Sequence, residues 1–527
     1  MRKAAEFYRD EVSTEGGYHF QYAADLSFGR SEQAEGPTQI TVQRSGTPLV
    51  GMAFLEAYET TGDRFYLEAA EAAAMALVGG QQCSGGWAYI VEFDPEKRAA
   101  HAYRADGGCE AGEDSGRQGY TTLDDNVTQA ALRLLMRVDR ALGFEQAAIH
   151  EAAQFALETL IEAQYANGAW PQRFERSPNP AEHQPKSASY PETWPREWPG
   201  EGYREHYTFN DSSIADVIDA LLEAARIYDE PRYLEAAKRG GEFILLAQMP
   251  EPQPAWAQQY NSEMHPVWAR LFEPPSISGS ESQSVMRVLL ALYRETGDRK
   301  FLEPLPRAIE YLKRSALPED PDAPPRRRRT CPPGSRCLAR FYELRTNKPL
   351  FITKGTQVRV AGQSTYRPDG YEISYDDDST IQHYAMWRNG DGIDEIEAEL
   401  DRLKAADPGT IRRPDKLHGL SPWQRSRGRE ATDPKELAEQ AAEIVAAMDE
   451  RGAWEQDGVA GRADRVVNVF AAEPMAVRIG GRMIPLAEDQ TLEVFRGEAP
   501  PVERMISSAT FARSIEALAA YVGANQQ

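Results

Sequence analysis

Apolar residues recur at i, i+3, i+4 and i+7 through several paired stretches of the chain, which is the helical period. "MAFLEAYETTGDRFYLEAAEAAAMAL" (52–77) reads as a helix, a turn at Thr61-Gly62-Asp63 and a second helix. "DALLEAARIYDEPRYLEAAKRGGEFIL" (219–245) and "RVLLALYRETGDRKFLEPLPRAIEYL" (287–312) have the same form, and "LRLLMRVDRALGFEQAAIHEAAQFALETL" (132–160) is a looser copy. A pair of antiparallel helices cannot bury its apolar face alone, so neighbouring pairs must stack. Long irregular segments separate the copies, and several carry Gly-Trp or Gly-Ala-Trp: "SGGWAYI" (84–90), "NGAWPQRF" (167–174) and "RGAWEQDG" (451–458). Glycine there ends a helix in a left-handed conformation.

Helical hairpins joined by long loops predict a mainly α protein, an α/α toroid whose loops gather at one end and form a groove. The toroid is expected over about 1–315, with an extended segment at 338–380 packed on the groove face, so that residues 1–380 form the catalytic domain. Helical pattern returns at 393–406 and 435–450, a small β-hairpin region is expected at 475–495, and a last helix at roughly 503–522. Residues 381–527 therefore read as an accessory, mostly helical extension. The Pro- and Arg-rich segment 316–336 reads as an exposed loop, and "RRRR" (326–329) as a solvated part of it.

No run of about 18 apolar residues is present, so no membrane span is expected. The opening "MRKAAEFYRDEV" reads as an amphipathic helix rather than a signal peptide. Net charge is −23 over 527 residues. Such a surface repels nucleic acid and anionic lipid, and a polyanionic substrate would need a local basic groove. Of the four cysteines, Cys83 with Cys109 and Cys331 with Cys337 each bracket a loop-like segment. Two disulfides in an oxidising compartment and free thiols in a reducing one both fit. No CxxC, HExxH, GxSxG or Gly-rich phosphate loop occurs, so zinc chemistry, triad hydrolysis and phosphoryl transfer gain no support.

Two helix starts carry the same acidic knot. "YTTLDDNVTQAAL" (120–132) holds Asp124, Asp125 and Asn126, and "YTFNDSSIADVIDAL" (207–221) holds Asn210 and Asp211. One Asp or Asn per helix is explained by capping of free N–H groups. Several converging carboxylates would repel, and a divalent cation relieves that repulsion; calcium prefers such oxygen donors. Arg340 and Arg345 flank Phe341-Tyr342-Glu343-Leu344, with Lys348 three residues on. They form either a solvated strand edge or a carboxylate clamp, since guanidinium matches carboxylate in two parallel hydrogen bonds. Trp87 and Trp170 are either lids folded over helix ends or platforms for sugar rings. "FEPPSISGSESQSV" (272–285) is either a capped helix start or a groove mouth lined by Ser278, Ser280 and Glu281.

In order along the chain, "GGW", "TTLDDNVT", "NGAWPQRF", "YTFNDSS", "FEPPSISGSES" and "ARFYELRTNKPLF" resemble the pectate lyases of polysaccharide lyase family ten. The resemblance covers about residues 10–355. It departs at Gly168-Ala169-Trp170-Pro171, at Asn347-Lys348-Pro349 and in the longer loop 175–206. It implies an α/α toroid that cleaves polygalacturonate by calcium-assisted β-elimination, outside the cell or in the periplasm. It further implies that Asp124, Asp125 and Asp211 surround the scissile uronate and its Ca2+. Asn126, Asn210, Trp170, Ser280, Glu281 and Lys348 are then expected to contact substrate. An arginine is implied as the base, with Arg340 first and Arg345 second. Such a base would need dense positive charge nearby and an alkaline optimum. An acidic polysaccharide is the expected partner and a monomer the expected state. A glycoside hydrolase with a carboxylate pair and a non-catalytic glycan-binding protein are the competing readings.

Overall fold

The predicted hairpins form. The computed structural model describes residues 1–32, 36–107, 109, 119–176, 182–318, 331, 334–353, 357–360, 371–377, 380–381, 384–412, 434–459, 464–479, 482–497 and 502–526. Helix α1 (Thr47–Thr61) ends at Gly62, whose φ of 70° no β-carbon-bearing residue adopts cheaply. Asp63 then accepts from the Phe65 N–H and starts α2 (Arg64–Gly79). The same Thr-Gly-Asp turn recurs at Thr296, Gly297 and Asp298. The other pairs are α3 (Val127–Ala141) with α4 (Ala147–Glu162), α5 (Ser213–Tyr228) with α6 (Pro231–Ala247), and α7 (Glu281–Thr296) with α8 (Leu305–Arg314).

Helices α1, α3, α5 and α7 pack side by side as an inner ring, with α2, α4, α6 and α8 outside. The burial separates the two layers. Every residue of α3 from Val127 to Asp139 is buried, whereas α4 buries one face. Inside the ring, Arg133 and Arg137 of α3 are paired with Asp219 and Glu223 of α5, all four shielded from water.

The ends of the first three hairpins are closed by the same two side chains. Trp87, Trp170 and Trp256 turn back so that their indole N–H donates to the carbonyls of Leu77, Leu160 and Ile244, at 2.7, 2.8 and 2.9 Å. These carbonyls lie in the last turn of an outer helix, where intrahelical donors run out. Gln81, Gln164 and Gln248 each bond a carbonyl of their own loop and one at the next outer helix, fixing the stagger between repeats.

The expected boundary at residue 380 runs through a shared core. Helix α9 (Gly392–Ala405) lies against α7, and α11 (Ser508–Gln526), paired with α10 (Pro434–Ala446), lies against α1. Ile393, Leu400, Ala441 and Phe511 belong to the same apolar core as Phe54 and Leu132. The Phe511 ring sits 3.7 Å from that of Tyr8. Trp454 caps the Ile444 carbonyl at 2.8 Å, as the earlier tryptophans do. The helices of 381–527 thus share the core of the hairpins, whereas Ala471, Ile484, Leu486 and Leu492 close a separate small core with Val358 and Val360.

Strand Val502–Ser507 pairs with Gln21–Ala23, joining the two ends of the chain, and with Glu455–Val459. The hairpin expected at 475–495 forms between Met475–Ile479 and Arg482–Leu486. Beside it, Gln357–Val360, Thr491–Gly497 and Asp464–Phe470 make a three-stranded sheet that the helical reading of this segment did not include. Strands Ser276–Ser278, Phe341–Glu343, Pro349–Ile352 and Ile373–Ser374 form a sheet in the order 373–349–341–276, and Cys337–Ala339 pairs with Trp387–Asn389. Both cysteine pairs are disulfides, Cys83–Cys109 and Cys331–Cys337. Among the described residues no helix is long and apolar enough to cross a membrane. The Arg run 326–329 lies outside the described residues.

Candidate active site

A cleft opens where α1, α3, α5 and α7 begin. Residues just before or within the first turns of these helices line it: Gln43 to Ser45, Asp125 and Asn126, Asp211 and Ser212, and Ser280 and Glu281. The positive ends of the backbone dipoles of four helices therefore face one space.

The two acidic knots are copies of each other in backbone as well as in sequence. Asp125 (φ 50°) and Asn126 (φ 56°) match Asp211 (φ 48°) and Ser212 (φ 62°), all left-handed. A Thr two residues before each knot holds the turn: Thr122 Oγ1 accepts from the Asp124 N–H at 3.3 Å, and Thr208 Oγ1 from the Asn210 N–H at 3.1 Å. Neither α3 nor α5 has a side-chain cap. The capping expected of one residue in each knot is absent, because the left-handed pair turns the side chains away from the helix N–H groups and into the cleft.

Asp124, Asp125 and Asp211 meet there, each offering a carboxylate oxygen within 4.8 Å of the others. Tyr89 donates from one hydroxyl toward both Asp124 (3.0 Å) and Asp125 (3.1 Å). Asn126 donates to Asp216 at 2.7 Å. The electrostatics record the crowding. Burial, with Asp124 and Asp211 nearby, raises Asp125 to about 7. Burial, with Asp124 and Glu281, raises Asp211 to about 6. Burial also raises Asp124. Among the described residues, Asp124 Oδ1, Asn126 Oδ1 and Gln43 Oε1 are buried acceptors without a donor. Left-over oxygens beside like charges fit a hard cation and do not fit a hydrogen-bonded cap.

Behind the acids lies a cationic layer. Arg340 is only 2% exposed. It donates to the Tyr384 hydroxyl (2.6 Å), Glu281 (3.3 Å) and Asn210 (3.5 Å), and its guanidinium lies 3.7 Å from the Tyr384 ring centre. Burial alone would lower its pKa, but Glu281, Tyr384 and Asp211 outweigh that and raise it. Arg340 is thus a firmly charged group bridging the second knot and the start of α7, the reverse of the ready proton acceptor expected of it. Asn210 is buried between Arg340 and Asp211, donating to the latter at 2.5 Å. Glu281 also accepts from Ser278 Oγ, and Ser280 lines the cleft.

Three expectations are not met. Arg345 points away, donating to the Pro191 carbonyl at 2.9 Å over the Tyr190 ring. Lys348 is exposed near Tyr375. Trp170 is fully buried and occupied with the Leu160 carbonyl, so it offers no face to a sugar. Residues 345 and 348 sit on the turn between two strands, and the side-chain directions of a turn are set by tertiary contacts that a short motif does not record.

The sequence reading missed an interlocked group beside Arg340. Glu273, buried, accepts from Arg270, Gln258 and Tyr384 at 2.6, 2.8 and 2.6 Å. Burial would raise Glu273, but the Arg270 hydrogen bonds hold it below the ordinary range. "WARLFEPP" carries Arg270 and Glu273 three apart, the one local signal; Tyr384 and Arg388, more than a hundred residues on, carried none.

The profile of the family described as Pectic acid lyase matches residues 92–381, more than half of the chain. Among solved structures, a variant of the family 10 polysaccharide lyase from Cellvibrio cellulosa in complex with trigalacturonic acid is 20% identical, with 63% of this chain and 92% of that chain covered and a TM-score of 0.44. An α-1,6-mannanase variant from Salegentibacter sp. HEL1_6 is 9% identical over 99% of this chain and 97% of that one, with a TM-score of 0.37. No curated protein sequence matches the chain.

Proposed function

The chain belongs to the pectic acid lyase family and is a polysaccharide lyase, and from that premise we propose that it cleaves polygalacturonate by β-elimination with a bound calcium ion. The observation that carries the cation is the meeting of Asp124, Asp125 and Asp211 within 4.8 Å, next to buried oxygens that have no donor. These three carboxylates would hold the ion, with the Asn126 and Gln43 carbonyl oxygens at its edge. When bound, it would neutralise the acids and draw charge from the substrate carboxylate, making the adjacent C5 proton more acidic.

The chain's own groups do the rest. The converging helix starts favour an anionic sugar despite the overall negative charge. Arg340 and Arg270 hold Glu281 and Glu273 in place, so that the cleft walls do not shift as charge develops. The base is a guanidine in this reading. Arg340, tied to Glu281 and Tyr384, serves better as a positioning group than as that base. The two disulfides and a polymeric substrate favour an oxidising compartment, extracellular or periplasmic.

The test is incubation with polygalacturonate and calcium while following ultraviolet absorbance of the unsaturated product. The expected signal appears and is lost with EDTA. Reducing ends without that absorbance would mean hydrolysis, and binding without either would mean a non-catalytic glycan binder.

A further inference from the structure

Residue 388 lies past position 381, where the family match ends. Strand Trp387–Asn389 pairs with Cys337–Ala339, Arg388 facing Leu338, and the Arg340 N–H donates to the Met386 carbonyl at 2.7 Å. The Cys331–Cys337 disulfide fastens the neighbouring strand. Arg388 is therefore held on a fixed element. It lines the cleft together with Asp125, Asp211 and Glu281.

Its guanidinium differs from the others nearby. Arg270 is bound to Glu273, and Arg340 to Glu281 and Tyr384. Among the described residues, Arg388 makes no ion pair and no side-chain hydrogen bond. A partly buried cation with no partner is costly and needs compensation. Burial and the neighbouring Arg340 push its pKa below the usual arginine range. Arg44, also at the cleft, is exposed, where solvent and salt screen it.

We propose that Arg388 receives a carboxylate of the polymer, in a two-point guanidinium–carboxylate pair across the cleft from the Asp124, Asp125 and Asp211 cluster. The idea rests on the uronate reading above. It adds that selection for a free acid over its ester is made by a residue outside the segment shared with the family. A methyl-esterified uronate lacks the charge and one acceptor oxygen, so it cannot complete the pair.

The experiment uses the full chain with Arg388→Gln and Arg388→Lys, on polygalacturonate and on highly methyl-esterified pectin. Arg388→Gln is expected to raise KM for polygalacturonate about 10- to 100-fold, with kcat within a few-fold. The preference for the unesterified polymer should narrow by a similar factor. Arg388→Lys should recover part of both, since it keeps the charge and loses the fork. Unchanged KM and unchanged ester discrimination in both variants would overturn the proposal. So would a collapse of kcat at constant KM, which would place Arg388 in proton transfer. If Arg388→Gln does not fold, Arg388→Lys still decides: wild-type KM and discrimination in it overturn the two-point pair. Wild-type protein that neither binds nor cleaves any uronate polymer would instead remove the reading on which this one rests, and the carboxylate pair with it.

Discussion

Asp125→Asn separates a cation site from a helix cap by the sign of its effect. Asp125 is raised from 3.8 to about 7 by burial and by Asp124 and Asp211. A native pKa above the unfolded one means that the native state binds the proton more tightly. Stability is therefore full below about pH 4 and falls as pH rises through about 7. At 1.36 kcal/mol per pKa unit, the ionised carboxylate destabilises the metal-free fold by at most about 4 kcal/mol. Asparagine keeps the shape and the contacts with Tyr89 and Gln43 but removes the charge. With an unfolding entropy of about 2.1 cal/mol/K per residue, the variant should melt up to roughly 3–4 °C above wild type in EDTA at pH 8. Calcium at 100 times its Kd stabilises wild type by about 2.7 kcal/mol, and the variant should lose most of that gain. Scanning calorimetry of both proteins, in EDTA and in calcium, reads all four values. A variant that melts lower than wild type in EDTA, and gains as much from calcium, would refute the cation site and restore the cap.

The calcium-induced rise in Tm of wild type should shrink between pH 8 and pH 5, because Asp125 and Asp211 take up protons near 7 and 6 and compete with the ion; an equal rise at both values would count against these ligands. Trp170→Ala should cost about 3–5 kcal/mol in urea unfolding by removing a buried ring and the bond to the Leu160 carbonyl, yet leave KM near wild type in the surviving fold, since the ring does not touch sugar. Glu223→Ala leaves Arg133 and Arg137 buried without their shared carboxylate, and a loss of about 3–5 kcal/mol is expected by the same measurement. Cys83→Ser with Cys109→Ser frees a loop spanning 26 residues and should lower stability by about 3–4 kcal/mol, seen as a lower urea midpoint.

The acidic knots show what local sequence can and cannot carry. That Asp124, Asp125 and Asp211 differ from ordinary caps was legible in the count of carboxylates at each start. That they do not cap at all depends on left-handed backbone at 125–126 and 211–212, held by Thr122 and Thr208. Arg340 was legible as a site residue through its motif, but its role was not. Whether a guanidinium is free or bound depends on Glu281 and on Tyr384, 44 positions later. The place of α11 against α1 was hidden for a similar reason: α11 reads as one more amphipathic helix, and nothing within it names α1 as its neighbour.

The chain by itself determined the helical hairpins, their turns at Gly62 and Gly297 and the repeated acidic starts, because each of these is written within one or two helical turns. Only the tertiary structure decided that α9, α10 and α11 join the core of the hairpins, that Trp170 is occupied, that Arg345 and Lys348 face elsewhere and that Arg388, among the described residues, has no ion pair or side-chain hydrogen bond in the cleft. Those outcomes depend on contacts between segments far apart in sequence, where burial and charge balance are properties of the assembled neighbourhood and not of any single stretch.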